Sequence, residues 1–374
     1  MKNPGKELLM ISEKLLKNEE KAIFRLRDLY RRYGYTQYKM SKFEEYDLYV
    51  KNKNFLVSDN VITFTDTDGK LMALKPDVTL SIVKNSREMP GGVRKVYYNE
   101  NVYRPAGGSR AYREIMQTGL ECLGDVDDYC VSEVLSLAVS SLAAIADDYQ
   151  LDVSHLGILS EVLARSGVPQ ETGSEILACM GEKNKHGVIA LCREAGIGEN
   201  ETGKITALMN CTGEAKEAIA VLRSLYADEA WLSLIDSFEA ILSLLPTKRV
   251  SVDFSVVNDM NYYNGIVFHG FVNGVPTGIL SGGQYDNLMK KMGKNMGAIG
   301  FAVYLDQLEM LAPSPGEYDA DTLLLYDEKT DLSLLTGQAR ALAEEGKSVL
   351  ALKMIPEKAV FRRTVDLRKG ENEA

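Results

Sequence analysis

Between Asn18 and Tyr33, apolar side chains fall at Ile23, Leu26, Leu29 and Tyr30 with Arg and Lys residues between them, the spacing of an amphipathic helix. The period then drops to two. VITFTDT and KLMALKP read as strands joined through Asp68-Gly69, a hairpin turn signal. RKVYYNENVYR and YREIMQTGLECLG alternate in the same way, separated by a loop from Pro105 to Ala111 that holds two glycines. From Asp127 to about Pro246 the pattern is helical and rich in Ala, Leu and Glu, apart from a short strand near Leu151 to Leu156. Strands return with RVSVDFSVV and GIVFHGFV, then the glycine pair Gly282-Gly283, and then an apolar stretch from Gly300 to Leu311 that predicts a helix.

Strand-rich pieces flanking a helical insertion predict an antiparallel α+β domain over residues 1–311, with the insertion at about 127–246. APSPGEYDA (312–320) has two prolines and a glycine and reads as a linker. Behind it DTLLLY, TDLSLLTGQARALAEEG and KSVLAL predict strand, helix and strand within 321–374, a fragment small for independent stability. No internal repeat is visible.

Composition narrows the function classes. A net charge of −10 lowers the expectation of a nucleic-acid partner, which usually meets a basic face. The first residues break every apolar run with Glu or Lys, so no signal-peptide core is expected, and stretches such as Leu232 to Leu245 are too short to span a bilayer. Five cysteines without C-x-x-C spacing fit reduced thiols of a cytoplasmic protein. His155, His186 and His269 are scattered, so no metal site is expected, and neither a Ser-His-Asp nor a P-loop signature occurs.

The informative segment is ENVYRPAGGSRAYREIMQTGLECLG. Alternation puts Arg113, Ile115, Gln117, Gly119 and Glu121 on one face of the second strand. Gln117 and Glu121 set an amide beside a carboxylate, with Gly119 leaving room between them, which suits a cationic amine or an imidazole. A half-solvated strand with polar residues outward fits the same pattern.

These residues resemble motif 2 of class II histidyl-tRNA synthetases: Arg104, a loop with Arg110 or Arg113, then E-x-x-Q-x-G-x-E. ALKPDVT (73–79) resembles that family's L-R-P-E-G-T, and NYYNGIVF (261–268) its D-Y-Y-N-x-T-V-F. GGQYDNL (282–288) and MGAIGFAVYLDQL (296–308) resemble G-G-R-Y-D-G-L and the motif 3 G-F-A-x-G-x-E-R-L. The resemblance implies a class II synthetase-like antiparallel sheet flanked by helices. It implies that Asp77 and Thr79 hold a ligand α-amino group, that Gln117 and Glu121 contact amine or imidazole, and that Tyr262 and Tyr263 line the ring pocket. Gly282 and Gly283 would admit close backbone approach, Tyr285 would close the wall, and Arg104 and Arg110 would meet phosphate or carboxylate.

The departures matter as much. The arginine of the family's L-V-R-G-L corresponds to Asn258, followed by Asp259 in place of glycine. The motif 3 arginine corresponds to Gln307, and Tyr304 replaces a small glycine on the nucleotide side. Ser41 stands for the motif 1 proline, while Glu44 matches. Carboxylate attack on a triphosphate depends on preorganised cations, so the chemistry is expected to be lost while the pocket stays. With its anticodon-domain-like tail truncated, the chain is similar to the regulatory-subunit family of ATP phosphoribosyltransferase. That resemblance implies no catalysis and no cofactor, a short-form catalytic partner, self-dimerisation through motif 1, and histidine as effector. Alternatives are a divergent working synthetase and a free-standing histidine- or tRNA-binding regulator. Asp253 and Asp259 lie near the expected pocket without an assigned task.

Overall fold

The computed structural model describes residues 16–52, 61–105, 111–245, 248–257, 262–311 and 318–368. The chain divides into two units, the larger being Asn18–Leu311.

The larger unit opens with α1 (Asn18–Arg32), whose apolar stripe buries Ala22, Leu26 and Tyr30, followed by β1 (Thr36–Gln37). A small antiparallel sheet in the order β2-β4-β3 comes next, from β2 (Phe43–Glu45), β3 (Thr63–Thr65) and β4 (Leu71–Leu74). Two short helices, α2 (Tyr46–Lys51) and α3 (Thr79–Lys84), accompany these strands in sequence. The long pair β5 (Val93–Pro105) and β6 (Tyr112–Gly124) leads into α4 (Asp128–Ile145) and β7 (Tyr149–His155).

The insertion supplies α5 (Leu156–Arg165), α6 (Gln170–Gly181), α7 (Lys185–Glu194), α8 (Glu199–Met209), β8 (Thr212–Gly213), α9 (Ala215–Leu225) and α10 (Glu229–Ser243). The chain then returns through β9 (Val250–Asp253), β10 (Ile266–Val272), β11 (Leu280–Gln284), α11 (Asp286–Lys291) and β12 (Gly297–Tyr304).

Nine strands form one sheet, β1-β5-β6-β12-β11-β10-β7-β9-β8. Its pairings are antiparallel except β1 with β5 and β7 with β9. The pleat splits the core in two. Tyr97, Leu120, Ile299, Phe301 and Val303 pack with α1, α4 and the insertion, whereas Val96, Tyr98, Val102 and Ala298 pack with α3 and Tyr285 on the other face. Helix α4 is apolar and long enough to cross a membrane, but its Val134, Leu135, Leu137, Ala138 and Leu142 are fully buried, so core packing accounts for its composition.

One expectation fails. Gly300 to Leu311 is not a helix: β12 runs to Tyr304 and only a 3-10 turn, Leu305–Met310, follows. β12 hydrogen-bonds to β6 on one side and β11 on the other and is buried on both faces, so its sequence loses the alternation of a half-exposed strand.

Most of the expected linker, 312–317, lies outside the described residues. In the second unit β13 (Ala320–Leu325), α12 (Leu332–Glu344) and β14 (Val349–Leu352) follow in order. A third strand, β15 (Phe361–Asp366), was not expected; it runs parallel to β13 and completes the order β14-β13-β15. Exposed Arg362, Arg363 and Thr364 in succession hid its periodicity.

Candidate functional site

β5 and β6 pair from Val93↔Gly124 to Pro105↔Tyr112, with Glu100↔Gln117, Tyr98↔Gly119 and Val96↔Glu121 as cross-strand partners on one face. Glu121 is 2% exposed. Tyr285 donates its hydroxyl to Glu121 Oε2 at 2.6 Å, and Thr79 donates to Oε1 at 2.8 Å. Burial pushes the Glu121 carboxyl up to about 8, with Asp77 adding to the rise against those two hydrogen bonds. Gly300 of β12 lies directly beneath, and a Cβ there would overlap Glu121 Oε2. Only glycine lets the carboxylate lie flat across that strand.

Asp77 accepts from Leu80 N–H at 2.8 Å, which starts α3 and presents Thr79. Loss of solvent raises the Asp77 carboxyl, opposed by the Leu80 and Thr79 amides and by the Arg104 guanidinium. Arg104 Nε donates to Pro76 O at 2.8 Å, so β5 and the segment before α3 hold this cation beside the acid. Tyr262 packs on Tyr263 with ring centroids 4.5 Å apart and on Tyr285 at 5.7 Å. Burial raises all three phenols, so they stay neutral. Gly283 fits under Tyr263, since a Cβ there would come within 2.8 Å of its Cδ1. Gly282 is likewise buried in β11. Gln117 is 3% exposed, and its Nε2 has no hydrogen-bond partner among the described residues.

Thus Asp77, Thr79, Glu121, Tyr262, Tyr263, Tyr285 and Arg104 come together. Arg110, Asn258 and Asp259 lie outside the described residues. Arg113 is directed elsewhere: largely exposed, it pairs with Asp306 at 3.4 Å. Gln307 sits on the 3-10 turn, accepts from Thr277 at 2.9 Å and donates to Asp306 at 3.0 Å, away from the Glu121 hydrogen bonds. Asp253 pairs with Lys183 of the insertion at 2.9 Å. His155 caps α5 through Nδ1 and is pushed down to about 4 by burial, a structural role.

Two residues escaped the sequence reading. Tyr98 fills the space above Gly119, where a Cβ would lie 2.5 Å from its hydroxyl, so that glycine makes room for a side chain. Lys75 is fully buried and pairs with Glu100 at 2.5 Å, one residue along β5 from Asn99 and cross-strand from Gln117. The Lys-Pro-Asp order was the available signal for that pair. Tyr304, expected only to narrow the cleft, also comes within hydrogen-bond reach of Arg104 and Ser281, with its phenol raised chiefly by burial.

Chemically, the cluster offers a buried acid and a half-buried one, an arginine, an amide nitrogen without a hydrogen-bond partner among the described residues, and tyrosine rings. Such groups can hydrogen-bond an amine, a carboxylate and a polar ring.

The sequence profile described as Histidyl-tRNA synthetase matches residues 11–308. The chain belongs to the histidyl-tRNA synthetase family. Within that family its relatives carry two names. It is 28% identical over 331 residues to an ATP phosphoribosyltransferase regulatory subunit of Oceanobacillus iheyensis, covering 85% of this chain and 80% of the relative. It is 27% identical over 341 residues to a histidine–tRNA ligase of Methanococcus maripaludis, covering 87% and 80%. Among solved structures it resembles an ATP phosphoribosyltransferase regulatory subunit/histidyl-tRNA synthetase from Bacillus halodurans, with TM-score 0.73, 22% identity and 94% of each chain covered. The ATP phosphoribosyl transferase (HisG:HisZ) complex from Thermotoga maritima gives TM-score 0.60 at 18% identity, covering 76% of this chain and 96% of that one. These likenesses establish a class II synthetase-like fold.

Proposed function

We propose that the pocket binds free histidine and that the chain is a non-catalytic regulatory subunit of ATP phosphoribosyltransferase. In this reading a short catalytic subunit requires it for activity and is inhibited through it by histidine. Asp77 takes the α-amino group, Arg104 the carboxylate, Gln117 and Glu121 the imidazole, and Tyr262, Tyr263 and Tyr285 the walls. Thr79, Gly282 and Gly283 support those contacts, and Arg110 would add charge at the carboxylate end.

The observation that carries the reading is the missing positive charge. By motif resemblance Asn258 and Gln307 correspond to the arginines of aminoacyl activation, and Gln307 donates a hydrogen bond to Asp306. Catalytic arginines at phosphoryl centres are worth roughly 10³–10⁵ in rate, and neutral amides offer no equivalent. Relatives named as regulatory subunits, and the HisG:HisZ complex among similar structures, support the partner assignment. Self-association through the motif 1 segment that holds Ser41 and Glu44 is part of the same proposal, as is weak affinity for tRNA given the net charge of −10.

Co-expression with a short ATP phosphoribosyltransferase catalytic chain tests it: activity that depends on this chain and falls with added histidine is expected. A catalytic chain equally active and equally histidine-sensitive alone refutes it. The second reading, a working ligase, is favoured by relatives of that name at similar identity. Histidine-dependent ATP–pyrophosphate exchange by the purified chain would establish it and overturn the regulatory assignment.

A further inference from the structure

The tyrosine loop is fastened to the turn bearing Tyr285 by a seam of hydrogen bonds among the described residues. Asn264, directly after Tyr263, donates its side-chain amide to Asp286 Oδ2 at 3.0 Å, and Asp286 returns its backbone N–H to Asn264 Oδ1 at 2.8 Å. The other Asp286 oxygen accepts from Ala298 N–H at 2.9 Å, at the start of β12. Gln284 completes the seam, with its backbone oxygen accepting from Asn264 N–H at 3.1 Å and its side-chain oxygen from Ile266 N–H at 2.8 Å. Tyr285, whose hydroxyl reaches Glu121, lies between Gln284 and Asp286. A reciprocal side-chain pair, alongside the Gln284 hydrogen bonds, therefore joins the loop bearing Tyr262 and Tyr263 to the turn bearing Tyr285.

We infer that Asn264 and Asp286 are positioning residues that hold the three tyrosines as one wall of the ligand pocket. The inference rests on the proposed histidine site. Neither side chain hydrogen-bonds Asp77, Glu121, Arg104 or Gln117, so the pair acts through the tyrosines. Asp286 is half-buried and also lines an open cleft of about 560 Å³ with Glu88, Asp125 and Lys290. Asn264 is half-buried as well, so a mismatched variant strands no fully buried charge and the chain folds.

The chemistry of the pair supplies its own control. In Asn264→Asp, one oxygen still accepts from the backbone N–H of Asp286, but the second opposes Asp286 Oδ2. In Asp286→Asn, one oxygen still serves Ala298, but its NH₂ meets the NH₂ of Asn264. The double variant restores the complementarity: the amide introduced at position 286 donates to the second oxygen of the carboxylate introduced at position 264, and all three hydrogen bonds return.

Histidine titrated calorimetrically into the full chain should bind each single variant roughly tenfold more weakly. The double variant should recover to within about threefold, with melting temperatures of all forms close together. Amide hydrogen exchange at Asn264 and Ile266, read without ligand, should rise in both single variants and return in the double. Wild-type affinity in the single variants, or a double variant as weak as they are, overturns the positioning role. A wild-type chain that binds no histidine refutes the site reading instead; the exchange pattern then decides the latch alone, and unchanged exchange overturns it.

Discussion

Glu121→Gln is the substitution that asks most of the site. Glutamine keeps the shape of the side chain, its carbonyl accepts from Tyr285, and its NH₂ donates to the Thr79 oxygen, so both native contacts at 2.6 and 2.8 Å survive with one reversed. What disappears is the capacity to share a proton with an imidazole. A hydrogen bond involving a charged group contributes about 1.5–3 kcal/mol and a neutral one about 0.5–1.5. The expected loss of histidine affinity is therefore about 1–2 kcal/mol, roughly five- to thirtyfold. A pH arm sharpens the test. Burial pushes the Glu121 carboxyl up to about 8, and free imidazole releases its proton near about 6.5. Between those values the pair carries the single proton it needs; above pH 8 binding must take one up, so wild-type affinity falls by up to about tenfold per unit from this group. Glutamine has no such requirement. Calorimetric titrations from pH 7 to 9 should show the wild-type advantage shrinking above pH 8. Equal affinities at pH 7, or a constant ratio across the range, would refute the placement of the imidazole at Glu121.

Other consequences follow from the same contacts. Gly300→Ala sets a methyl group against Glu121 and the Leu120 carbonyl, and urea denaturation should register a loss of about 1–3 kcal/mol. Lys75→Met leaves Glu100 without its cation and should cost about 3–5 kcal/mol, whereas Lys75→Met with Glu100→Leu should regain most of that stability. Glu121 binds its proton more tightly folded than unfolded, so its contribution to stability declines as pH rises from about 4.5 to about 8 and is level above. Thermal melts of the ligand-free chain should show that decline, and Glu121→Gln should reduce its slope.

Much of this architecture was legible because local patterns and the fold agree. The β5–β6 pair, the Asp68-Gly69 hairpin and the helical insertion each carry their own period and turn residues, so they could be read without tertiary context. β12 could not: paired on both edges and covered on both faces, it shows only an apolar run compatible with either helix or strand. β15 was missed for the opposite reason, since an exposed edge strand has few apolar positions to reveal its period. In the site, alternation correctly grouped Gln117 with Glu121, but the space at Gly119 belongs to Tyr98, a cross-strand neighbour that sequence adjacency cannot disclose. Asn264 and Asp286 are 22 residues apart, and only the return of β11 beside β10 brings them together.

In the proposed reading, charge balance lets the pocket bind histidine without activating it. It sets Asp77 and Glu121 against Arg104, and burial, which pushes the Glu121 carboxyl up, favours its keeping a proton. Histidine supplies an amine, a ring that can accept that proton, and a carboxylate for the arginine, so binding completes the set without further cations. A triphosphate would add several negative charges, and by motif resemblance the chain offers the neutral Gln307 in place of an arginine. In that reading the groups that would engage the ligand belong to the β5–β6 pair, the segment leading into α3, the Tyr262–Asn264 loop and the turn before α11, elements joined by hydrogen bonds to Glu121 and by the Asn264–Asp286 pair. A ligand spanning all four favours their closed arrangement over any looser one by its difference in affinity for the two. A partner subunit that prefers the same arrangement must then bind more tightly to the histidine-loaded chain, by the factor with which it tightens histidine in return.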